Sequence, residues 1–255
     1  MARVDGSDDE DRILYGLHAI REALRAGSRP LQRLVVVRTD GQFADLVSLA
    51  RVKGIPVHVE PRPAIDRMVP RGNHQGVVGI VAAKAYSEED DVLAFAQSQQ
   101  DPPLLVLLDG VEDPYNLGAV LRTSEAAGVH GVIVPERRSA GLTALVAKAS
   151  AGALDHMRVA RVRNLSRTIE GLQHAGVWVY GFVPATPKDY TTLDYRGPVA
   201  LVLGGEGKGI RHGVLEKCDD TVHIPMSGHV ASLNVSAAAA IALFEVVRQR
   251  RTMCQ

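Results

Sequence analysis

The chain has 255 residues, a formal net charge of zero and 46% hydrophobic residues. That length can form one large core or two smaller domains, and the apolar content is typical of globular proteins. An aromatic content of 4% argues against an aromatic stacking platform as the main mode of nucleic-acid binding. The two cysteines, Cys218 and Cys254, are too few for a disulfide framework and lack metal-ligand spacing, so a cytoplasmic location is expected.

No segment of the sequence predicts a secretory signal or a membrane span. The N-terminal residues 1–12 are acidic and polar, without the apolar stretch of a signal peptide. The longest apolar stretch, residues 235–247, contains Ser236 and Glu245 and is too short to cross a bilayer. These features favour a protein that works away from membranes.

Charge is unevenly distributed along the chain. Residues 12–84 hold 12 Lys and Arg against 5 Asp and Glu, whereas residues 85–255 hold 16 against 19. A basic first part suggests an anionic partner, although a solvated basic surface would look the same. Arg outnumbers Lys 23 to 6, which suits bidentate phosphate contacts but also follows from a GC-rich genome.

In chain order, an acidic tail is followed by a small α/β domain. Residues 1–11 are predicted to be a disordered acidic tail. Helical and strand periodicities then alternate over residues 12–83. The helices are predicted at 17–26, 43–52 and 64–69, and the strands at 34–37, 56–60 and 76–83. Residues 84–103, with their acids, Gln/Ser run and Pro pair, are predicted to be a linker with one helical turn at 92–96.

From residue 104 to the end, near-continuous Val, Leu and Ile strands alternate with helices. Such strands are typical of a parallel sheet covered by helices on both faces, so residues 104–255 are predicted to form a second α/β domain. The strands are predicted at 104–111, 131–135, 157–162, 178–183, 199–205 and 221–225. Helices are predicted at 117–127, 142–151, 210–217 and 233–250. One further helix is predicted to pass through residue 169.

Three polar, glycine-containing loops each follow a predicted buried strand, at 112–118, 204–209 and 226–234. In an open parallel sheet, ligands bind outside the carboxyl ends of the strands. The three loops should therefore gather at one edge and form a site.

The glycine loop at 204–209 matches neither common nucleotide-binding pattern. No Ser or Thr follows Lys208, as a Walker loop requires, and the spacing is one residue short of G-x-G-x-x-G. Only one strand and one helix are predicted after it. A dinucleotide-dependent oxidoreductase is therefore disfavoured, and any ligand must bind late in the chain.

Each polar residue of these loops also has a structural interpretation. Asn116 is either a helix N-cap or a catalytic group, or both. Arg122, six residues later, lies roughly 240° around the helix and is either functional or simply solvated. The remaining three residues lie near predicted helix starts. Glu206 is expected just before one, Ser232 is expected to be the N-cap of the last helix, and Asn234 is expected inside its first turn, where Asn is a mediocre helix former.

At these loops the sequence resembles the SpoU family of RNA ribose methyltransferases, within the SPOUT superfamily. The resemblance rests on three motifs in the expected order, at 113–122, 203–210 and 224–236, and covers roughly the last 150 residues. The front of the chain, through 15–20 and 74–78, resembles the ribosomal-protein-like substrate-binding domain of the ribosomal-RNA branch of this family.

The resemblance implies a SPOUT domain with a C-terminal trefoil knot, a homodimer, and S-adenosyl-L-methionine as methyl donor without a metal. It also assigns roles to individual residues. The implied catalytic residues are Asn116, Arg122, Glu206, Ser232 and Asn234. The implied cofactor-binding residues are Gly204, Ile224, Met226 and Leu233.

The implied reaction is methylation of a ribose 2′-hydroxyl, of a guanosine in large-subunit (23S) ribosomal RNA. A transfer-RNA methyltransferase of the same family is the near alternative, and a non-catalytic RNA-binding protein the more distant one. Because a guanidinium is effectively always protonated, Arg122 is expected to grip an RNA phosphate or stabilise the developing alkoxide, rather than act as base.

Overall fold

The computed structural model describes residues 13–26, 31–70, 72–81 and 84–251. The predicted acidic tail and Cys254 lie outside these residues. The chain forms two compact units, which we name the front unit (Met1–Ala85 with Gly141–His156) and the rear unit (Tyr86–Ala140 with Met157–Gln255).

The described residues contain ten strands and ten α-helices. The strands are β1 (Ile13–Tyr15), β2 (Leu31–Val36), β3 (Val57–Val59), β4 (Val77–Val81), β5 (Leu104–Asp109), β6 (Gly131–Pro135), β7 (Val159–Val162), β8 (Trp178–Phe182), β9 (Val199–Gly204) and β10 (Asp220–Val222). The helices are α1 (Leu17–Ala26), α2 (Ala44–Val52), α3 (Arg62–Met68), α4 (Glu89–Ser98), α5 (Pro114–Ala126), α6 (Ala144–Ala149), α7 (Ala153–His156), α8 (Leu165–His174), α9 (His212–Leu215) and α10 (Val235–Arg251).

The front unit is built on a four-stranded sheet in the order β1-β4-β2-β3. Strand β4 pairs antiparallel with β1 and β2, while β2 and β3 are parallel. The three helices and three longer strands predicted from the sequence are present, with ends that differ by at most three residues over the described part. Strand β1 was not predicted, because three residues are too few to show an alternating pattern.

Helices α6 and α7 belong to the front unit, although their sequence lies within the predicted second domain. Helix α6 packs against β1, and α7 packs against α1. The Lys148 ammonium lies 3.8 Å from the centre of the Tyr15 ring, and His156 Nε2 lies 3.3 Å from Glu22 Oε2. Residues 141–156 therefore complete the front unit instead of continuing the rear one.

The segment predicted as a linker contains a packed helix. Helix α4 covers ten residues where one turn was expected, and its Val92 and Ala96 are fully buried in the core of the rear unit. Three acidic residues in its first turn favour the helix through the backbone dipole. The segment 84–103 therefore contains a ten-residue helix where a single helical turn was expected.

The rear unit has a six-stranded, fully parallel sheet in the order β10-β8-β9-β5-β6-β7, as the strand composition predicts. Helices α4, α8 and α9 share a core with Leu105 and Leu107 of β5, whereas α5 and α10 pack against each other. Strands β5 and β9 run in register from Leu104 opposite Val199 to Asp109 opposite Gly204. Both strands therefore deliver their following loops to the same edge. The implied trefoil knot stays a prediction.

Within the described residues, no helix combines the length and apolar character that a bilayer crossing requires. Two helices of the rear unit, α9 and α10, begin two residues later than predicted. Helix α9 is only His212–Leu215, since Arg211 and the loop before it are held elsewhere. Helix α10 begins at Val235 rather than 233, for a reason found in the site.

Candidate active site

Three side chains from the three loops meet at the carboxyl edge of the rear sheet. Asn116 Nδ2 donates to Glu206 Oε1 at 3.0 Å. Asn234 Nδ2 donates to Asn116 Oδ1 at 2.9 Å and to Glu206 Oε1 at 2.7 Å. We call Asn116, Glu206 and Asn234 the amide–carboxylate triad. The predicted gathering of the loops is confirmed.

Asn116 does not cap helix α5. Helix α5 is capped by Asp113, whose carboxylate accepts from the Tyr115 backbone N–H at 2.8 Å, and Pro114 holds the first helical position. Asn116 is the third residue of the helix and 9% exposed. Its interpretation as an N-cap was wrong, and its amide is directed to the triad instead.

Asn234, not Ser232, caps helix α10. The Asn234 carbonyl accepts from the Ala238 N–H at 3.0 Å, and its Oδ1 accepts from the backbone N–H and hydroxyl of Ser236 at 2.8 and 2.6 Å. The expectations that Ser232 caps this helix and that Asn234 lies inside its first turn were wrong. The side-chain oxygen of Asn234 fixes the helix, which leaves its NH₂ group for the triad.

Glu206 lies in a tight loop rather than immediately before a helix, because α9 begins only at His212. The loop closes through the Gly209 N–H, which donates to the Gly205 carbonyl at 3.1 Å. Asp109, 1% exposed at the end of β5, anchors the loop from below. Its carboxylate accepts from the Arg211 backbone N–H and from Arg211 Nε, both at 2.8 Å.

Close backbone approach explains two glycines of this loop. A Cβ on Gly205 would lie 1.8 Å from the carbonyl oxygen of Gly110. A Cβ on Gly204 would lie 2.2 Å from the carbonyl carbon of Gly209. Any side chain at these positions meets the protein's own backbone, so the glycines are needed to form the loop before any ligand binds.

The larger cavity beside the triad has a volume of about 850 Å³. All four predicted cofactor residues line it, together with Ser232, Glu206 and Asn234. Sequence reasoning missed another part of the lining, which comes from the end of β8, from the two residues after it and from a residue before the third loop. These residues could have been predicted, because β8 is parallel to the other strands and its carboxyl end lies at the same edge of the sheet. The predicted residues are Gly204, Ile224, Met226 and Leu233, and the missed ones are Phe182, Val183, Pro184 and His223.

Glu206 also lines a second, smaller cavity of about 300 Å³. Asn116 and Lys208 line it, with Glu112 and Arg138. Glu206 and the backbone of the glycine loop border both cavities. The triad is therefore placed where a molecule in one cavity can meet a molecule in the other.

Arg122 is the one predicted catalytic residue that the structure leaves apart. Its side chain is exposed on α5 and lines neither cavity. Of the other predicted residues, Asn116, Glu206 and Asn234 touch one another, and Ser232 lines the larger cavity. Arg138, which lines the smaller cavity, was missed because it carries no motif, although it follows β6 at the same edge.

The chain belongs to the SpoU family of RNA 2′-O-ribose methyltransferases. Residues 103–244, more than half of the chain, match the profile of the SpoU rRNA Methylase family. Residues 13–87 match the profile described as RNA 2′-O ribose methyltransferase substrate binding. Both parts of the resemblance seen in the sequence are thereby confirmed.

Two relatives resemble the chain over nearly its full length. A protein of Bacillus subtilis strain 168 assigned to the TrmH family of tRNA/rRNA methyltransferases is 43% identical, over 96% of this chain and 98% of its own. The 23S rRNA (guanosine-2′-O-)-methyltransferase RlmB of Shewanella oneidensis is 42% identical, over 94% of this chain and 98% of its own.

Two solved structures share the fold. The AdoMet-bound rRNA methyltransferase from Sinorhizobium meliloti has a TM-score of 0.79 at 30% identity, covering 94% of this chain and 88% of its own. The SpoU methyltransferase AviRb from Streptomyces viridochromogenes, in complex with AdoMet, has a TM-score of 0.78 at 25% identity, covering 94% and 90%.

Proposed function

We propose that this protein methylates the ribose 2′-hydroxyl of a guanosine in large-subunit ribosomal RNA, with S-adenosylmethionine as the methyl donor. The observation that carries the proposal is the amide–carboxylate triad between two cavities. We assign the larger cavity to S-adenosylmethionine and the smaller one to the target nucleotide.

The residues of the larger cavity fit such a donor. Its volume falls within the range of small-molecule sites, roughly 300–1,000 Å³. Met226, Leu233 and Ile224 supply apolar surface for the adenine base, and the glycines of the 204–209 loop leave backbone donors and acceptors accessible to the ligand. Bound there, S-adenosylmethionine supplies an electrophilic methyl group on a sulfonium.

The triad would orient the attacking hydroxyl. In-line displacement requires the ribose oxygen to be held in one direction, and such alignment accounts for much of the catalytic effect. The two amide groups that donate to Glu206 both bind Oε1, so neither of them uses Oε2. In the proposed mechanism, Glu206 Oε2 accepts a hydrogen bond from the 2′-hydroxyl and takes its proton as the oxygen attacks.

The reaction is tested by transfer of a tritiated methyl group from S-adenosylmethionine to ribosomal RNA. Glu206→Gln keeps the shape but removes the negative charge, so single-turnover methylation should fall about 10²-fold or more. Binding of S-adenosylmethionine, measured by calorimetry, should change little. Full methylation by Glu206→Gln protein would remove Glu206 from the mechanism, and tight binding of NAD in place of S-adenosylmethionine would overturn the whole assignment.

The choice of ribosomal over transfer RNA rests on the front unit and on the relatives. A relative that matches over nearly the whole length is named as a 23S rRNA guanosine enzyme, although another is named for both RNA classes. Mapping ribose methylations in RNA from a strain that lacks the gene decides the matter. Loss of one guanosine methylation in 23S RNA is expected; loss from a transfer RNA, or from neither, would refute the proposed target.

We further propose that the working unit is a homodimer. Tyr115 of α5 and Phe244 of α10, from the two helices that pack together, are 62% and 50% exposed. Exposed aromatic residues are typical of protein interfaces. Light scattering should give twice the chain mass, and a monomer at every concentration would eliminate the dimer.

A further inference from the structure

The loop after β6 presents one guanidinium to the smaller cavity. Arg138 lines that cavity with Asn116 and Glu206. Arg122, the arginine that the motifs singled out, does not line it. Since Arg is the side chain best suited to bidentate contact with a phosphate, the cavity contains the group that an RNA backbone needs beside the triad.

The backbone around Arg138 is built to hold this side chain in place. Its φ of +63° is in the left-handed region, which non-glycine residues rarely adopt and which is concentrated at functional sites. The Ala140 N–H donates to the Val111 carbonyl at 2.9 Å and ties the loop to the one that follows β5. Arg138 Nη2 consequently lies over Gly110, 3.5 Å from where a Cβ would stand.

The present partner of Arg138 is easily exchanged. Glu112 Oε1 lies 3.7 Å from Arg138 Nε, and the two side chains are 65% and 40% exposed. Such exposed, long ion pairs contribute little to stability. The other two carboxylates of the cavity are engaged, because Asp113 caps α5 and Glu206 accepts from two amides. A phosphate can therefore replace Glu112 without stranding any buried charge.

We propose that Arg138 holds the RNA phosphate next to the target ribose in the smaller cavity, with Glu112 as its partner until RNA binds. Arg138 is then a positioning residue, which sets the distance between the 2′-hydroxyl and Glu206. This inference rests on the proposed function, because it assumes that the smaller cavity receives the target nucleotide.

The experiment compares Arg138→Gln, Glu112→Gln and the control Arg137→Gln. Arg137 is the exposed neighbour and lines neither cavity, so its variant matches the loss of charge. Loss of one charge-assisted contact in Arg138→Gln should weaken RNA binding about ten- to a hundredfold. It should also flatten the slope of log K against log salt by about 0.7. Glu112→Gln should leave RNA binding unchanged or up to about fivefold tighter, since it removes the competing carboxylate.

A purely structural ion pair gives the opposite pattern, in which Glu112→Gln and Arg138→Gln weaken RNA binding alike. That result would overturn the inference. Unchanged RNA binding and methylation by Arg138→Gln, or an equal loss of RNA affinity in Arg137→Gln, would overturn it too. Calorimetry with S-adenosylmethionine should give the wild-type affinity for all three variants, and its loss in Arg138→Gln would also count against a role toward RNA. If wild-type protein transfers no methyl group while Arg138→Gln still loses RNA affinity, the proposed function fails and the phosphate contact stands.

Discussion

The ion pair between Asp109 and Arg211 joins a buried carboxylate to a partly exposed guanidinium, so removing either partner should have a different effect. Asp109 is 1% exposed, whereas the Arg211 side chain is 43% exposed. Removing the Arg211 side chain leaves the Asp109 carboxylate buried without its guanidinium partner. Of the donors on residue 211, only the backbone N–H would remain. Neutralising Asp109 instead leaves a guanidinium that can turn to water. The two variants should therefore differ in stability although they break the same contact.

The magnitudes follow from the desolvation of each group. An unpaired buried charge costs about 3–5 kcal/mol, so Arg211→Ala should lose about 4 kcal/mol. Asp109→Asn keeps the shape and loses charge-assisted hydrogen bonds worth about 1.5–3 kcal/mol, so about 2 kcal/mol is expected. For a chain of this size, these losses lower the melting midpoint by about 8–16 °C and about 4–8 °C respectively.

Thermal unfolding, monitored by circular dichroism, tests which single variant is less stable. The double variant is measured alongside them. Asp109→Asn with Arg211→Ala should melt close to Asp109→Asn alone, because the neutral amide no longer needs the cation. All three variants should lose methylation, since the pair anchors the loop that carries Glu206. If Arg211→Ala is the more stable single variant, or if the two losses simply add, the reasoning from desolvation is refuted.

Three further results are expected. Hydrogen bonds from Arg248 lower the pKa of Glu245 below its ordinary 4.5, so Glu245→Gln should reduce the melting midpoint at neutral pH. The difference in melting midpoint from wild type should shrink as pH falls below about 4.5, and a difference independent of pH would contradict this. Gly204→Ala, whose Cβ meets the backbone of the glycine loop, should lower stability as well as activity, whereas Gly197→Ala, with open space, serves as a silent control. Burial raises the pKa of the Cys218 thiol to about 12, so a Cys254→Ser protein should react with a thiol reagent much more slowly when folded than when unfolded. Equal rates in the two states would contradict the raised pKa.

The sheet of the rear unit and the position of its site were predictable from local sequence. Strand β5 is buried along its whole length and is apolar from Leu104 to Leu108, which is the pattern expected of a strand covered on both faces. Its last residue, Asp109, is buried against Arg211. Because parallel strands end at one edge of a sheet, the sequence also predicts that the loops carrying Asn116, Glu206 and Asn234 meet.

The errors lie where neighbouring signals compete or where the partner is distant in sequence. Asp113 and Asn116 are both good N-cap residues, and Pro114 decides between them by fixing the first helical turn. Arg138 belongs to no motif, and its place over Gly110 depends on a backbone hydrogen bond between residues 111 and 140. No local pattern reports such a contact.

The assignment of residues 141–156 to the front unit changes how the RNA-binding role of that unit must be tested. If residues 12–83 and 104–255 were separate domains, as the sequence predicts, deleting residues 1–84 should leave a folded remainder. Val146 and Leu154 are fully buried, and their helices pack on β1 and α1, which such a deletion removes. The truncated chain would therefore expose apolar surface, and a loss of activity could reflect misfolding.

Neutralising exposed charge avoids that problem. Arg33, Arg62 and Arg67 are exposed in the front unit, and replacing all three with Gln leaves its core untouched. If these side chains contact RNA phosphates, the slope of log K against log salt should fall by about 2, since each contact to single-stranded RNA contributes about 0.7. A matched control neutralises three exposed arginines of the rear unit, namely Arg161, Arg163 and Arg167. S-adenosylmethionine binding should be unchanged in both triple variants. Equal salt slopes in the two would show that the basic front unit holds RNA no better than any other charged surface.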